Sequence, residues 1–442
     1  KNDFNLLKFE IIDNKVIISD VYDSVKALQY AEVLKIDSFT VEDLTQKYNY
    51  LRSSDGYNTT FYKRRIGLFL NSMYRMENPK LDSVTLTLKL NDSIFDTTFY
   101  RVKDPKKHKK EKNEETKKEE TAEEKSIRIK KEKKEKKKKS SRGYNEFTKE
   151  YTRDYSFLED SSIGYLKIRG FVNGPYRDFY EEFFAEVDKL NPKAVIIDLR
   201  DNTGGRLAEI HDLYGYFNTE EYITIQEMET KTRTPRLNSL WSTNNTGLAI
   251  LVKTIATPFI YTYEQITSSK KNGIYHHNMG ASRPSSPQGL AYEGKVYVLI
   301  NGNSFSASSI LSTNLQGSER ATIVGEETGG TYNGTVAGVF KPIKLPNTKL
   351  RVQFGLGLIK APYSEDPDGL GVIPDYTILP TYEHRKKGID TELEWVLNKI
   401  KKEEKAELKI ETVEKNELKE VFIEQKEEKE ENIEVPEPEN EN

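Results

Sequence analysis

The chain has no cysteine among its 442 residues. That single absence excludes disulfides, thiolate zinc sites and cysteine nucleophiles together. Histidine is scarce too, with 5 residues of which two are adjacent, so a histidine-rich metal cage is not expected and no metal or organic cofactor is implied. Long apolar runs are missing. The best, such as Ala194-Val195-Ile196-Ile197, fall well short of the roughly 18 residues of a membrane span, so no integral span is expected. No charged-then-apolar leader opens the stretch at Lys1, so no export signal is visible.

What the chain has in excess is charge, 31% of its residues, against about 25% for an ordinary globular protein. The excess is local. Residues 103–142 hold 19 Lys/Arg and 10 Asp/Glu, and residues 385–442 hold 12 and 19, so a +9 block and a −7 block nearly cancel in a net charge of −3. The first block has almost no apolar content and cannot offset its ordering entropy by burial. It reads as a solvated, disordered or partly helical linker. A nucleic-acid-binding arm is the competing reading, but interleaved glutamates and missing aromatic rings argue against it, and no nucleic-acid partner is expected.

These blocks divide the chain. Residues 1–102 read as a small mixed α+β domain. Phe9–Ile12 and Val16–Ile18 are short β-rich runs about an Asp13-Asn14 turn, and Val33–Ile36 is a further strand. Thr40 to Tyr48 reads as a helix with Thr40 as N-cap and Asp43 three residues on. Val84–Leu90 alternates at period two. Residues 143–384 alternate strand and helix, which predicts a parallel or mixed sheet with helices packed on it. Strands are expected at Gly164–Ile168, Ala194–Leu199, Val296–Ile300 and Ala321–Val324, and helices at Asp178–Leu190, Arg206–Phe217 and Phe305–Leu315. Between about 228 and 292 the pattern weakens, and that stretch is expected to be an irregular lid or insertion. Residues 385–442 predict one charged amphipathic helix and an acidic disordered tail.

Three loops follow strands and open helices or turns. Asp198-Leu199-Arg200-Asp201-Asn202-Thr203-Gly204-Gly205 could be a phosphate cradle, an oxyanion hole or only a tight turn. In Asn301-Gly302-Asn303-Ser304-Phe305-Ser306-Ala307-Ser308-Ser309, a serine at a helix N-terminus suits a nucleophile whose oxyanion takes neighbouring N–H groups, while an N-cap cluster is the plainer alternative. Gly325-Glu326-Glu327-Thr328-Gly329-Gly330-Thr331 is a glycine loop of low specificity alone.

As a set, these segments resemble the carboxy-terminal processing (tail-specific) serine peptidases, on a ClpP/crotonase-like α/β fold. The strand Gly164–Ile168 with Phe171 and the run Ile197-Asp198-Leu199-Arg200 with Asn202 and Gly204-Gly205 match. So do Ser304–Ser308 leading to Gln316 and Arg320-Ala321, Gly325-Glu326 with Thr328, and Gly371-Val372 before Pro374-Asp375. The likeness covers nearly all of 143–384 and is greatest to the branch of Bacteroidetes-type bacteria. It implies Ser306 as nucleophile with the Ala307 and Gly204 N–H groups as oxyanion donors. Residues 1–102 are similar to a PDZ domain through Glu32-Val33-Leu34-Lys35-Ile36-Asp37-Ser38, with both signature glycines replaced, by Tyr30 and Ser38.

The sequence departs from the family pattern at the general base. The processing-protease lysine is Thr331 here, and the companion acid beside the glutamine is Gly317. In the tricorn-like branch the base is a histidine on the early strand, where this chain has Lys167; a desolvated lysine could take the serine proton, and a solvated strand lysine is the alternative. Glu365, His276 and His277 are lesser candidates, and His211 is expected at the surface. The expectation is a serine endopeptidase acting on protein or peptide substrates, exported, periplasmic or envelope-associated as the family mostly is. The alternative is a catalytically impaired peptide-binding or scaffold protein. Deletion of 103–142 is expected to leave the peptidase domain folded.

Overall fold

The computed structural model describes residues 4, 7–100 and 122–410, except positions 22, 50, 52, 147, 148, 173 and 243–245. The chain divides into two compact units, Lys1–Glu392 and Leu393–Asn442. The second is helical over 393–410. The first holds two hydrophobic cores, one under an N-terminal antiparallel sheet and one under a mostly parallel sheet.

The N-terminal sheet begins with a hairpin, β1 (Lys8–Ile12) and β2 (Lys15–Asp20). Its turn residues Asp13 and Asn14 both have positive φ, 51° and 58°, the backbone that a two-residue turn needs to match strand twist. β3 (Glu32–Ile36) and β4 (Phe39–Thr40) follow, then α1 (Val41–Asn49), α2 (Thr60–Glu77), β5 (Ser83–Leu90) and β6 (Ser93–Tyr100). The sheet order is β1-β2-β3-β5-β6, with β4 on β3. α1 starts where the cap predicts: the Asp43 N–H donates to Thr40 Oγ1 (3.1 Å) and the Thr40 hydroxyl to Asp43 Oδ2 (2.6 Å). In β5 the alternation is literal, with Val84, Leu86 and Leu88 buried and the residues between them less so.

Part of the basic block is helical, α3 (Ala122–Ser141); residues 101–121 lie outside the described residues. The end of that block is not a solvated tether. Ser141 and Arg142 are buried, Arg153 donates to the Ser141 carbonyl (2.8 Å), and Arg142 pairs with Asp154 and Glu182.

The second core is built on β9 (Arg153–Leu158), β10 (Ile163–Ile168), α4 (Tyr176–Leu190), β11 (Ala194–Asp198) and α5 (Leu207–Tyr214), after two short strands β7 (Tyr144–Asn145) and β8 (Glu150–Tyr151). β12 (Glu227–Thr230), α6 (Pro235–Ser242), α7 (Gly247–Thr267), β13 (Ser268–Lys271) and β14 (Ile274–His277) come next. Then come β15 (Lys295–Ile300), α8 (Ala307–Gly317), β16 (Thr322–Gly325), β17 (Gly334–Val336), β18 (Phe340–Lys344), β19 (Arg351–Gly355), β20 (Gly357–Lys360), β21 (Tyr376–Thr377) and α9 (Tyr382–Lys386). The main sheet runs β21-β16-β15-β11-β10-β9, parallel except for the edge strand β9. β11 is buried at every position, as expected of a strand covered by helices on both faces. α4 supplies Phe179, Tyr180, Phe183, Phe184 and Val187 to the core, each aromatic worth about 1.5–3 kcal/mol of burial.

The stretch 228–292 is regular over most of its length, up to His277. It is a helical hairpin, α6 and α7, and a strand pair that joins a second sheet, β13-β14-β12-β20-β17. Its Thr, Ser and Asn content hides a 21-residue helix whose apolar stripe faces outward.

Candidate active site

The carboxyl ends of β10, β11, β15 and β16 bring the three loops together. β15 ends at Ile300, the chain turns through Asn301–Phe305, and α8 starts at Ala307 with Ser306 as its N-cap residue. Ser306 has φ 55° and ψ −118°. A non-glycine residue there costs on the order of 1–3 kcal/mol and persists only where its surroundings over-determine it. The neighbouring loops do so. The Ser304 hydroxyl donates to the Leu199 carbonyl (2.9 Å) and accepts the Asn301 N–H (3.0 Å), while the Ser304 carbonyl accepts the Gly329 N–H (3.1 Å) and the Gly330 N–H (3.4 Å). The Phe305 N–H donates to the Asn202 carbonyl (3.0 Å). Ser304 is therefore a tie between loops, and Ser308 is buried inside α8.

Two glycines leave room for the serine. Gly204 has φ +98°, and a Cβ there would lie 2.7 Å from the Phe305 carbonyl oxygen and 2.9 Å from both Ala307 N and Ser306 Cβ. A Cβ on Gly330 would lie 2.9 Å from Ser306 N. Gly204 and Ala307 thus both adjoin Ser306. The Ala307 N–H, at the positive end of α8, has no acceptor among the described residues. The Gly204 N–H donates to Asn202 Oδ1 (2.9 Å).

Lys167 lies elsewhere on the same sheet edge. Its Nζ is 2.9 Å from Asp198 Oδ1 and donates to the Arg200 carbonyl (3.0 Å). Asp198 also receives Tyr165 Oη (2.6 Å) and the Arg200 guanidinium, which reaches on to Asp390. Burial opposes ionisation of Asp198, but the Lys167 and Arg200 charges and their hydrogen bonds outweigh it, so its carboxyl stays well below the usual carboxylate range. Among the described residues, no Lys, His, Asp or Glu side chain forms a hydrogen bond with Ser306 Oγ.

The other candidates are spread out. The Thr331 hydroxyl is committed to the Gly334 carbonyl, and Gly317 packs against the Tyr363 ring. The Glu365 backbone pairs with the Asn333 side chain. His276 Nδ1 is 2.9 Å from Glu227, and the buried His277 Nε2 is 2.9 Å from Thr230 Oγ1, both in the second sheet. His211 is half-buried rather than exposed at the surface. Its ring nitrogens contact Thr224 Oγ1 (2.7 Å) and Ser285 Oγ (3.0 Å), and burial lowers its pKa, favouring the neutral ring.

The sequence reading missed the contribution of α2. The Asn58 side chain donates to the Gly329 carbonyl (2.9 Å), Phe61 packs on Phe305 with ring centroids 4.8 Å apart, and Arg64 Nε donates to Glu326 (3.1 Å). Glu326 in turn accepts the Gly302 N–H (3.2 Å). No local pattern marks these residues, because their partners lie some 250 positions away.

A serine on a strained strand-to-helix turn, at the positive end of a helix and against a glycine turn, is an arrangement compatible with serine-hydrolase chemistry on a mixed α/β fold. The family follows from sequence. Residues 162–378 match peptidase family S41, so the chain carries an S41 peptidase domain, of the family of C-terminal processing serine peptidases, which are hydrolases. Among solved structures the chain is similar to a point mutant of CPAF (15% identity, 87% of this chain and 79% of that chain, TM-score 0.55). It is also similar to mature CPAF complexed with lactacystin (14%, 87% and 80%, TM-score 0.53). A Parabacteroides merdae chain assigned as a peptidase is 22% identical over 56% of this chain, with a TM-score of 0.40; the present chain spans 64% of its length. At these identities the CPAF likeness speaks to the fold alone. A comparison with curated protein sequences found no match.

Proposed function

We propose that the chain is a serine endopeptidase of protein or peptide substrates, with Ser306 as nucleophile and the Ala307 and Gly204 N–H groups as oxyanion donors. The observation that carries this reading is the strained Ser306 backbone, held at the α8 N-terminus by ties from three loops. Attack by Oγ on a peptide carbonyl would put negative charge beside Ala307 N–H and the helix dipole. Gly204 N–H would act as a donor shared with Asn202 Oδ1. Lys167 is the base this reading retains, and it would have to exchange Asp198 and the Arg200 carbonyl for Ser306 Oγ on substrate binding. No cofactor is needed and no nucleic acid is expected. The N-terminal domain is read as PDZ-like, supported by its five-strand sheet path with β4 on β3, flanked by α1 and α2. An exported or envelope-associated location is proposed from the family resemblance.

The absence of a base on Ser306 Oγ among the described residues favours a second reading, a catalytically impaired relative that binds peptides. One experiment separates them. The full chain is treated with a fluorophosphonate probe and, in parallel, with an unfolded protein substrate. The peptidase reading expects labelling and hydrolysis that Ser306→Ala abolishes and Lys167→Met reduces at least a hundredfold. Hydrolysis unchanged in Ser306→Ala refutes it. Absence of both labelling and hydrolysis in the unsubstituted chain supports the impaired reading.

A further inference from the structure

α7 is amphipathic in the inverse sense. Leu248, Leu251, Val252, Ile255, Phe259 and Ile266 recur at i, i+3, i+4, i+7, i+11 and i+18, which is one face of a helix, and that face is turned to solvent. Leu248, Phe259 and Ile266 are 76%, 73% and 78% exposed. The only two charged residues of the helix, Lys253 and Glu264, are buried on the opposite side, toward α6. The Arg236 backbone N–H of α6 donates to Glu264 (2.6 Å), and Trp241 of α6 donates to Thr257 (3.1 Å). α6 also packs against β18, whose hairpin with β19 exposes Phe340, Ile343 and Phe354. Both hairpins that flank α6 thus expose apolar side chains.

The charge around this surface is mostly basic, although Glu229 of β12 pairs with Lys360 (3.4 Å). Residues 230–290 hold seven Lys/Arg and one acidic residue, and residues 336–360 hold five Lys/Arg and none. The rest of the chain carries 56 Lys/Arg against 70 Asp/Glu. Lys270 and Lys271, on β13 directly after α7, and Lys344, Lys349 and Arg351 on the neighbouring hairpin are all exposed. An apolar, aromatic helix face bordered by basic side chains in an otherwise acidic chain matches the chemistry of an anionic lipid surface, with rings and aliphatic groups in the acyl boundary and cations at the headgroups. A symmetric pairing with a second copy would instead set two net-basic surfaces, each with Lys270, Lys271, Lys344, Lys349 and Arg351 exposed, against one another and is disfavoured electrostatically. Among the described residues no helix is long and apolar enough to cross a membrane, so this surface would lie on a bilayer.

We propose that the outward face of α7 docks the protein onto anionic phospholipid bilayers. The inference does not depend on the catalytic reading, because it is read without turnover.

The test is co-sedimentation of the full chain with large vesicles, either phosphatidylcholine alone or phosphatidylcholine with phosphatidylglycerol, in about 0.1 M salt. Binding is expected to be at least tenfold stronger to the anionic vesicles and to fall as salt rises. The triple variant L251D/I255D/F259D changes only exposed positions, so its melting curve should match that of the unsubstituted chain while vesicle binding falls at least tenfold. The pair K270E/K271E keeps the apolar face and should lose about fivefold per reversed charge or more. Equal binding to both vesicle types, or no binding to either, overturns the proposal. So does unchanged binding of the folded triple variant. Self-association in sedimentation velocity that the triple variant abolishes, with no vesicle binding, overturns it in favour of an interface between copies.

Discussion

Replacing Gly204 by alanine tests whether the glycine turn and the nucleophile are one mechanical unit. The new Cβ would meet the Phe305 carbonyl oxygen at 2.7 Å and Ala307 N and Ser306 Cβ at 2.9 Å, against 3.4 Å for ordinary contact. All three atoms belong to the nucleophile turn, and none is the far end of a flexible side chain. Relief therefore requires the backbone of 305–307 to shift by several tenths of an ångström. Alanine at φ +98° adds strain of its own, on the order of 1–3 kcal/mol. Two effects should separate. Stability should fall by about 1–3 kcal/mol, read by urea unfolding as a lower midpoint with an unchanged slope. Fluorophosphonate labelling of Ser306 should slow at least tenfold, because sub-ångström displacement of a reacting group costs rate steeply. Gly273→Ala is the control. Gly273 also has positive φ, +80°, but nothing lies within 4 Å of its Cβ position, so this variant carries the strain without the clash. It should lose stability without changing the labelling rate. Equal labelling rates for Gly204→Ala and the unsubstituted chain would refute the reasoning.

Three further outcomes follow from particular contacts. Arg153 and Glu209 form a fully buried pair at 2.9 Å, so Arg153→Met leaves the Glu209 carboxyl with only Tyr180 and Arg206 as partners and should cost about 3 kcal/mol in urea unfolding. Asp198 has a depressed carboxyl pKa in the folded state, so its contribution is complete above the unfolded value of 3.8 and is lost as pH falls below that toward the folded value. The stability gap between the unsubstituted chain and Asp198→Asn, followed by melting at pH 7, 5 and 3, should hold from 7 to 5 and narrow at 3. Deleting 103–136 should leave the melting temperature within about 2 °C. Deleting 103–142 should lower it markedly, because it removes buried Ser141 and Arg142, contrary to the tether reading of the whole block.

The nucleophile side of the site was legible because it is local. Buried strand, turn and helix N-terminus lie within Val296–Leu315, and the run Ala194–Gly205 repeats the arrangement, so hydrophobic pattern and glycine placement located both turns, while the choice of Ser306, Ala307 and Gly204 within them came from the family resemblance. The Asp13-Asn14 hairpin and the Thr40 cap were legible for the same reason. α7 was hidden because sequence reading assumes that an apolar stripe faces a core. Its stripe faces outward and its charges face α6, so polar and apolar positions gave the reverse of the usual contrast. His211 was misplaced for a related reason: a polar flank of a helix was equated with solvent, whereas here the ring is half-buried with buried Thr224 and half-buried Ser285 as hydrogen-bond partners.

The strain at Ser306 explains why the N-terminal domain belongs to the site rather than being an appendage. A φ of 55° at a serine is retained only under constraints that exceed its cost. The peptidase core supplies some of them, through Ser304, Leu199 and the Gly329 and Gly330 N–H groups. Gly329 is in turn held at its carbonyl by Asn58, Phe305 is packed by the Phe61 ring, and Gly302 is pressed against Thr60 while its N–H is fixed by Glu326, which Arg64 orients. Every part of the nucleophile turn on that side is therefore backed by the first turns of α2 or by the residues just before it. Such a turn has two sets of supports from chain segments far apart in sequence. Removing the distal set should weaken the constraint that holds this φ. An isolated 143–384 fragment would lack this half of the scaffold as well as buried Ser141 and Arg142, so it should lose stability in urea unfolding and, on the proposed reading, fluorophosphonate labelling of Ser306.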